Sequence, residues 1–127
     1  VAIDEPNVID VTGIDQANGE TLLVICDHLP WATEEPDPLY TEGDHLYMLQ
    51  GKVYRYLDFI ESGEIFEKLE KAKGTTPVIL IKFLYPLSQN ATNLVNNLKQ
   101  YLGPMGVEVR WEINDPRTSD APSPSVN

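Results

Sequence analysis

Apolar residues along the chain fall into stretches whose period switches between that of a strand and that of a helix. Residues 8–14 (VIDVTGI) alternate imperfectly, with Ile9 and Val11 on one face and Asp10 and Thr12 on the other, and predict a strand. Residues 21–27 (TLLVICD) are apolar from Leu22 to Cys26 without a break. Such a run predicts a strand covered on both faces, hence an interior one. Between the two lies Asn18-Gly19, a dipeptide that tolerates the backbone of a tight turn, so the pair reads as a β-hairpin.

From Asp44 to Ser62 the period becomes helical. Leu46, Leu49, Val53, Tyr56, Leu57 and Ile60 form one stripe, while Lys52, Arg55, Asp58 and Glu61 are read as lying away from it. Thr41 followed three residues on by Asp44 resembles a capping box, and Ser62-Gly63 is a stop signal. A shorter helix over Glu64 to Lys73 is expected to bury Ile65, Phe66 and Leu69 and to end at Gly74. Residues 78–85 (VILIKFLY), bounded by Pro77 and Pro86, are β-branched and aromatic and too short for a helix, so they predict a central strand. Ser88 then caps a helix carrying Ala91, Leu94, Val95, Leu98 and Leu102 at helical spacing, which Gly103-Pro104 terminates. In the last strand Val107, Val109, Trp111 and Ile113 alternate with Glu108, Arg110 and Glu112, a pattern with one wet face that suits an edge.

The order β-β-α-(α)-β-α-β predicts an α/β (α+β) two-layer sandwich with a four-stranded mixed sheet and its helices mainly on one face. Right-handed crossovers between neighbouring parallel strands give the sheet order 1-2-3-4 with the first strand antiparallel. A ferredoxin-like rearrangement is the alternative. Residues 1–113 are assigned to a single domain. Residues 114–127 (NDPRTSDAPSPSVN) hold too few apolar side chains to offset the ordering entropy and read as an extended or disordered C-terminal tail.

Composition narrows the function classes. In 127 residues there are 20 Asp+Glu against 9 Lys+Arg, a formal charge of -11, which argues against a nucleic-acid partner because phosphates would be repelled. No apolar run approaches a membrane span. Val1 to Glu5 lack the basic start of a secretory signal, so a cytoplasmic location is expected. Cys26 is the single cysteine, which leaves no internal disulfide.

The candidate chemistry sits at the two ends of the Pro-rich stretch 28–43 (HLPWATEEPDPLYTEG). Both histidines follow an aspartate: Asp27-His28 at the end of the second strand and Asp44-His45 at the start of the first long helix. The carboxyl ends of strands in α/β sheets are the usual ligand crevice. Two His and two Asp could hold zinc or manganese, or do general acid/base work. Cys26 with a histidine could form a nucleophile and base pair. The structural alternative is that Asp44 caps the helix, His28 closes the strand with a backbone hydrogen bond, and Cys26 is a small buried hydrophobe.

From Asp27 to Asp44 there are six acidic residues and no Lys or Arg, with Trp31 and Tyr40 in the same segment. Trp31 folds back over the sheet, or the segment is an acidic surface with aromatic anchors for a basic protein. If the carboxylates of this segment crowd together, their pKa values should rise. No phosphate loop, G-x-S-x-G, H-E-x-x-H or calcium-loop pattern is present, so neither a cofactor nor a resident metal is expected.

Asn7-Val8-Ile9-Asp10, Gly13-Ile14-Asp15, Asp27-His28 with Trp31, and His45-Leu46 together resemble a small bacterial family of unknown function. Gln50, Lys52, Tyr56, the string Phe59-Ile60-Glu61-Ser62-Gly63-Glu64, Ala72-Lys73-Gly74 and Tyr85-Pro86-Leu87 extend the resemblance over residues 7–113. It implies a cytosolic bacterial protein with no established activity and transfers no catalytic residue. Size and acidity are also those of immunity-type proteins that neutralise toxins.

The expectation is therefore a non-enzymatic, immunity- or adaptor-like domain that binds another protein through the 28–43 stretch and the exposed sheet face. Its binding residues would be Asp27, His28, Trp31, Tyr40, Asp44 and His45. The alternative is a small metal-binding or acid/base enzyme built on Asp27, His28, Asp44 and His45. Because the two central strands are apolar on both faces, the face away from the helices needs a cover. The 28–43 loop, the short helix and a two-fold homodimer are the candidates, and the homodimer is favoured.

Overall fold

The computed structural model describes residues 10–15, 18–31 and 40–113. The expected tail 114–127, Val8 and Ile9 of the first strand, and residues 32–39 lie outside the described residues. Strand β1 spans Asp10–Asp15, β2 Glu20–Asp27, β3 Thr76–Phe83 and β4 Glu108–Ile113. Helix α1 spans Glu42–Glu61, α2 Glu64–Lys68 and α3 Gln89–Leu102, with short 3-10 turns at Glu70–Ala72 and Gly103–Met105. The sheet order is β1-β2-β3-β4. β1 runs antiparallel to β2, and β2, β3 and β4 run parallel, which is the mixed four-stranded sheet that the element order implied.

Local signals account for the boundaries. Gly19 takes a positive φ of 65° in the β1–β2 connection, a backbone that a side chain would resist. The imperfect alternation of the first strand has a cause: the register with β2 slips between Val11 and Gly13, a bulge that interrupts the period of two. Thr41 and Asp44 form a reciprocal capping box, each side chain accepting from the other's backbone N–H at 3.1 and 2.9 Å. Ser88 caps α3 through Ala91 N–H. The second helix is shorter than its apolar spacing suggested. Leu69 turns extended after Lys68, only a 3-10 turn follows, and Phe66 stands 38% exposed.

Side chains on the helix-facing side of the sheet lie in rows across three strands. Leu23, Ile79 and Val109 form one row, Ile25, Ile81 and Trp111 the next, and Asp27, Phe83 and Ile113 the last. Leu49, Val53, Tyr56, Leu57 and Phe59 of α1 and Ala91, Val95, Leu98 and Leu102 of α3 close over them. Lys52 is in this layer too, fully buried, with Nζ 5.7 Å from the centroid of the Tyr56 ring. Its charge alone predicts a solvent-facing side chain. Its position, three residues after Leu49 and four before Tyr56, puts it on the buried stripe. Tyr56 donates its hydroxyl to the Val24 carbonyl at 2.6 Å and so ties α1 to β2.

The opposite face of the sheet carries an ion pair that the apolar pattern did not suggest. Arg110 on β4 reaches over β3 to Glu20 on β2 (Nη1 to Oε1 3.0 Å) and also holds Glu108 on its own strand. Val78 lies on β3 beneath this crossing and is fully buried, and Val24 is buried as well. α2 packs against α1, and its Ile65 joins the helix-side core, as does Trp31.

The Arg110 bond to Glu108 holds that carboxyl below its ordinary value of 4.5. Such a group binds protons less tightly folded than unfolded, so its contribution is complete above the unfolded value and is lost as the pH falls through the folded one. Glu108 is half-exposed, so the contribution is at most about 1 kcal/mol. Glu108→Gln should therefore be less stable than the parent at neutral pH, and acidification into the range below 4.5 should close that gap. Paired urea titrations at neutral and acid pH measure this, and a gap that persists in acid would assign the effect to something other than the carboxylate charge.

Candidate functional site

The last residue of an apolar strand is where an aliphatic side chain would complete the row beside Phe83 and Ile113. This chain places Asp27 there, 2% exposed. A buried carboxylate needs a partner and hydrogen bonds. Its Oδ1 accepts the Leu29 N–H at 3.1 Å, a local turn of the kind aspartates favour, and its backbone carbonyl accepts from Leu84 N–H at 2.9 Å.

The counter-group is His45, in the first turn of α1, with no exposed surface. Its Nε2 lies 2.6 Å from Oδ2 and 2.8 Å from Oδ1 of Asp27. Its Nδ1 faces the Pro30 carbonyl at 3.3 Å, so each ring nitrogen points at an oxygen. Trp31 stacks flat on the imidazole, ring centroids 3.6 Å apart and planes within 8°. Tyr40 meets it edge-on at 6.0 Å and donates its hydroxyl to the Pro30 carbonyl at 2.9 Å. Phe83 touches the far side of Trp31 at 5.8 Å. Trp31 is 5% exposed, and its buried indole N–H has no hydrogen-bond partner among the described residues.

Of the six residues read as a site, the fold brings four together: Asp27, Trp31, Tyr40 and His45. The pairing is crossed relative to the sequence. Asp27 bonds to His45, not to His28 beside it, and Asp44 is spent on the exposed capping box. His28 is exposed and lines a shallow hollow with Cys26, Lys82 and Leu84. Cys26, half-buried, takes no place in the cluster. Strand closure, expected of His28, is done by Asp27. Among the described residues no group of three or more His, Cys, Asp or Glu could hold a metal ion. Asp27, His45 and Trp31 are all nearly inaccessible, and their contacts tie the end of β2 to the start of α1.

The expected rise in carboxylate pKa is reversed at Glu42. Hydrogen bonds from Ser88 and Asn90 at the start of α3 hold its carboxyl below the ordinary range. Phe83 and the Pro30 carbonyl are the parts of the cluster that sequence reasoning missed. The only signal for them was an aspartate at the end of an apolar strand, which has to be answered from somewhere.

No helix among the described residues is long and apolar enough to cross a membrane. A family model described as a family of unknown function (DUF6572) matches residues 1–115. No curated protein and no solved structure matches the chain.

Proposed function

Since the chain belongs to DUF6572, a family with no activity to transfer, its own geometry has to suggest a role, and we propose that it is a non-enzymatic recognition domain that presents its acidic 28–43 segment to a basic protein. One observation carries this reading: the segment is pinned at both ends to a single buried cluster. Trp31 at its start is stacked on His45, and Tyr40 near its end is bonded to the Pro30 carbonyl. Between those anchors the sequence runs from Ala32 to Leu39 with Glu34, Glu35 and Asp37 and no basic residue. Binding residues concentrate on loops held by a rigid scaffold. A single-sign cluster on a chain of charge -11 attracts and orients a basic partner at long range. Trp31 and Tyr40 act here as internal anchors. The sealed dyad favours this role over acid/base catalysis.

The test is a comparison of two triple charge reversals. Glu34→Lys, Glu35→Lys and Asp37→Lys change the segment, while Glu61→Lys, Glu67→Lys and Glu70→Lys change net charge equally at the end of α1 and beyond it. Proteins retained by the immobilised parent at low salt should be basic and should be released by raising salt. The segment variant should lose them and the control should keep them. Equal retention by the segment variant and the parent would place binding elsewhere and end this reading.

A further inference from the structure

We infer that Asn18-Gly19, in the turn between β1 and β2, is a site of self-modification, at which the asparagine loses ammonia through a cyclic imide and becomes aspartate or isoaspartate. It is the one place in the chain where glycine follows asparagine. The reaction needs the backbone nitrogen of the following residue to reach the side-chain amide carbon, and a side chain on that residue crowds the approach. Gly19 has none, and apart from its chain neighbours nothing lies within 4 Å of where a Cβ would stand. Asn18 is exposed. Both residues lie beyond the last register pair, Asp15 with Glu20, at the tip of the hairpin.

The asparagines of α3 have the opposite setting. The nitrogens that would attack Asn90, Asn93, Asn96 and Asn97 belong to Ala91, Leu94, Asn97 and Leu98. The Ser88 cap takes the first and the helix takes the other three. Asn7 and Asn114 precede Val8 and Asp115, whose side chains crowd the attacking nitrogen. The hairpin tip, by contrast, can open locally, because the β1–β2 ladder is interrupted by the bulge between Val11 and Gly13. In the open turn the Gly19 nitrogen gives its proton to solvent base and attacks Asn18 Cγ. The N–Cγ bond forms, the Cγ–Nδ2 bond breaks, and ammonia leaves with a proton from solvent. Water then opens the imide at either carbonyl. One water is consumed for each ammonia released, with no oxidant or reductant. The new carboxylate stands near Glu20, whose own carboxylate Arg110 holds. Isoaspartate also lengthens the main chain ahead of the Gly19 carbonyl, which accepts the Thr76 N–H at 2.8 Å, so modification loosens the seam between the hairpin and β3. The turn lies at the far end of β2 from the 28–43 segment, and its chemistry is independent of what that segment binds.

Peptide mapping by mass spectrometry on the folded full chain, aged at mildly alkaline pH, is the test. The peptide containing Asn18 should gain the mass difference between an amide and an acid before any other asparagine peptide does. It should split into two chromatographic products of equal mass, aspartate and isoaspartate. Conversion should run within about a hundredfold of its rate in the urea-unfolded chain, since opening a hairpin tip is far less costly than global unfolding. Asn18→Gln, whose longer side chain closes such a ring poorly, should remove both products and leave the other peptides as they were. Protection of Asn18 in the folded chain beyond that factor, earlier conversion at another asparagine, aspartate without isoaspartate, or products that persist in Asn18→Gln would each overturn the proposal.

Discussion

Replacing His45 with alanine is expected to destabilise the protein by about 3–5 kcal/mol, because it strands a buried carboxylate. Asp27 has lost its water, and after the substitution only the Leu29 N–H, among the described residues, would still donate to its side chain. The imidazole is also the surface on which Trp31 stacks, so the change removes an aromatic contact and leaves a void beneath the indole. For a chain of this length that loss corresponds to a fall in Tm of about 10–20 °C. Asp27→Ala should be similarly damaging, since it leaves the imidazole facing an empty row position. Asp27→Leu with His45→Leu should cost much less than the two single changes added together, because it removes both buried polar partners at once and fills the space with apolar groups. Urea denaturation of the four proteins, followed by circular dichroism, completes the cycle. A His45→Ala loss below about 1 kcal/mol would mean that the pair is no more than a surface ion pair in effect, contrary to its burial.

The same cluster shows what could be read from the chain before its structure. Strand and helix order, the sheet order and the Thr41–Asp44 box were legible because each rests on a local period or a short-range spacing. The buried polar groups were not, because residue type and helical phase disagreed and type was given priority. His45, Leu49, Lys52, Tyr56 and Phe59 follow spacings of four, three, four and three, the spacing of a single buried stripe. Reading phase first would have placed both His45 and Lys52 inside. Asp27 has the same ambiguity: period two continues Leu23 and Ile25 onto the helix side, whereas its residue type and place at the strand's end point to a binding group in the crevice. The partner of a buried charge is long-range, 18 residues away here, and no local pattern identifies it. The Arg110–Glu20 crossing, 90 residues apart in sequence, was hidden for the same reason.

Phe83→Ala is expected to cost about 3–5 kcal/mol and to disturb both tryptophans together. Phe83 sits in the last row of the sheet between Asp27 and Ile113 and is 1% exposed. Its ring lies 5.8 Å from Trp31 and 6.2 Å from Trp111, so one side chain joins the His45 cluster to the β4 edge. Removing it opens a cavity that the neighbouring strands cannot collapse into, since their spacing is fixed by the ladder. Trp31 and Trp111 are the protein's two tryptophans, so fluorescence reports the whole neighbourhood without background. Emission should shift to longer wavelength as water reaches the indoles, and the urea midpoint should fall. Phe83→Leu keeps most of the volume and should cost less than about 1.5 kcal/mol with the emission little changed. Phe66→Ala supplies the contrast: the apolar spacing of the second helix put Phe66 inside, but its side chain is exposed, so its loss should stay within about 1 kcal/mol. Equal losses at positions 66 and 83 would mean that exposure does not rank these two rings, and that Phe83 does not join the two tryptophans in the way its ring distances indicate.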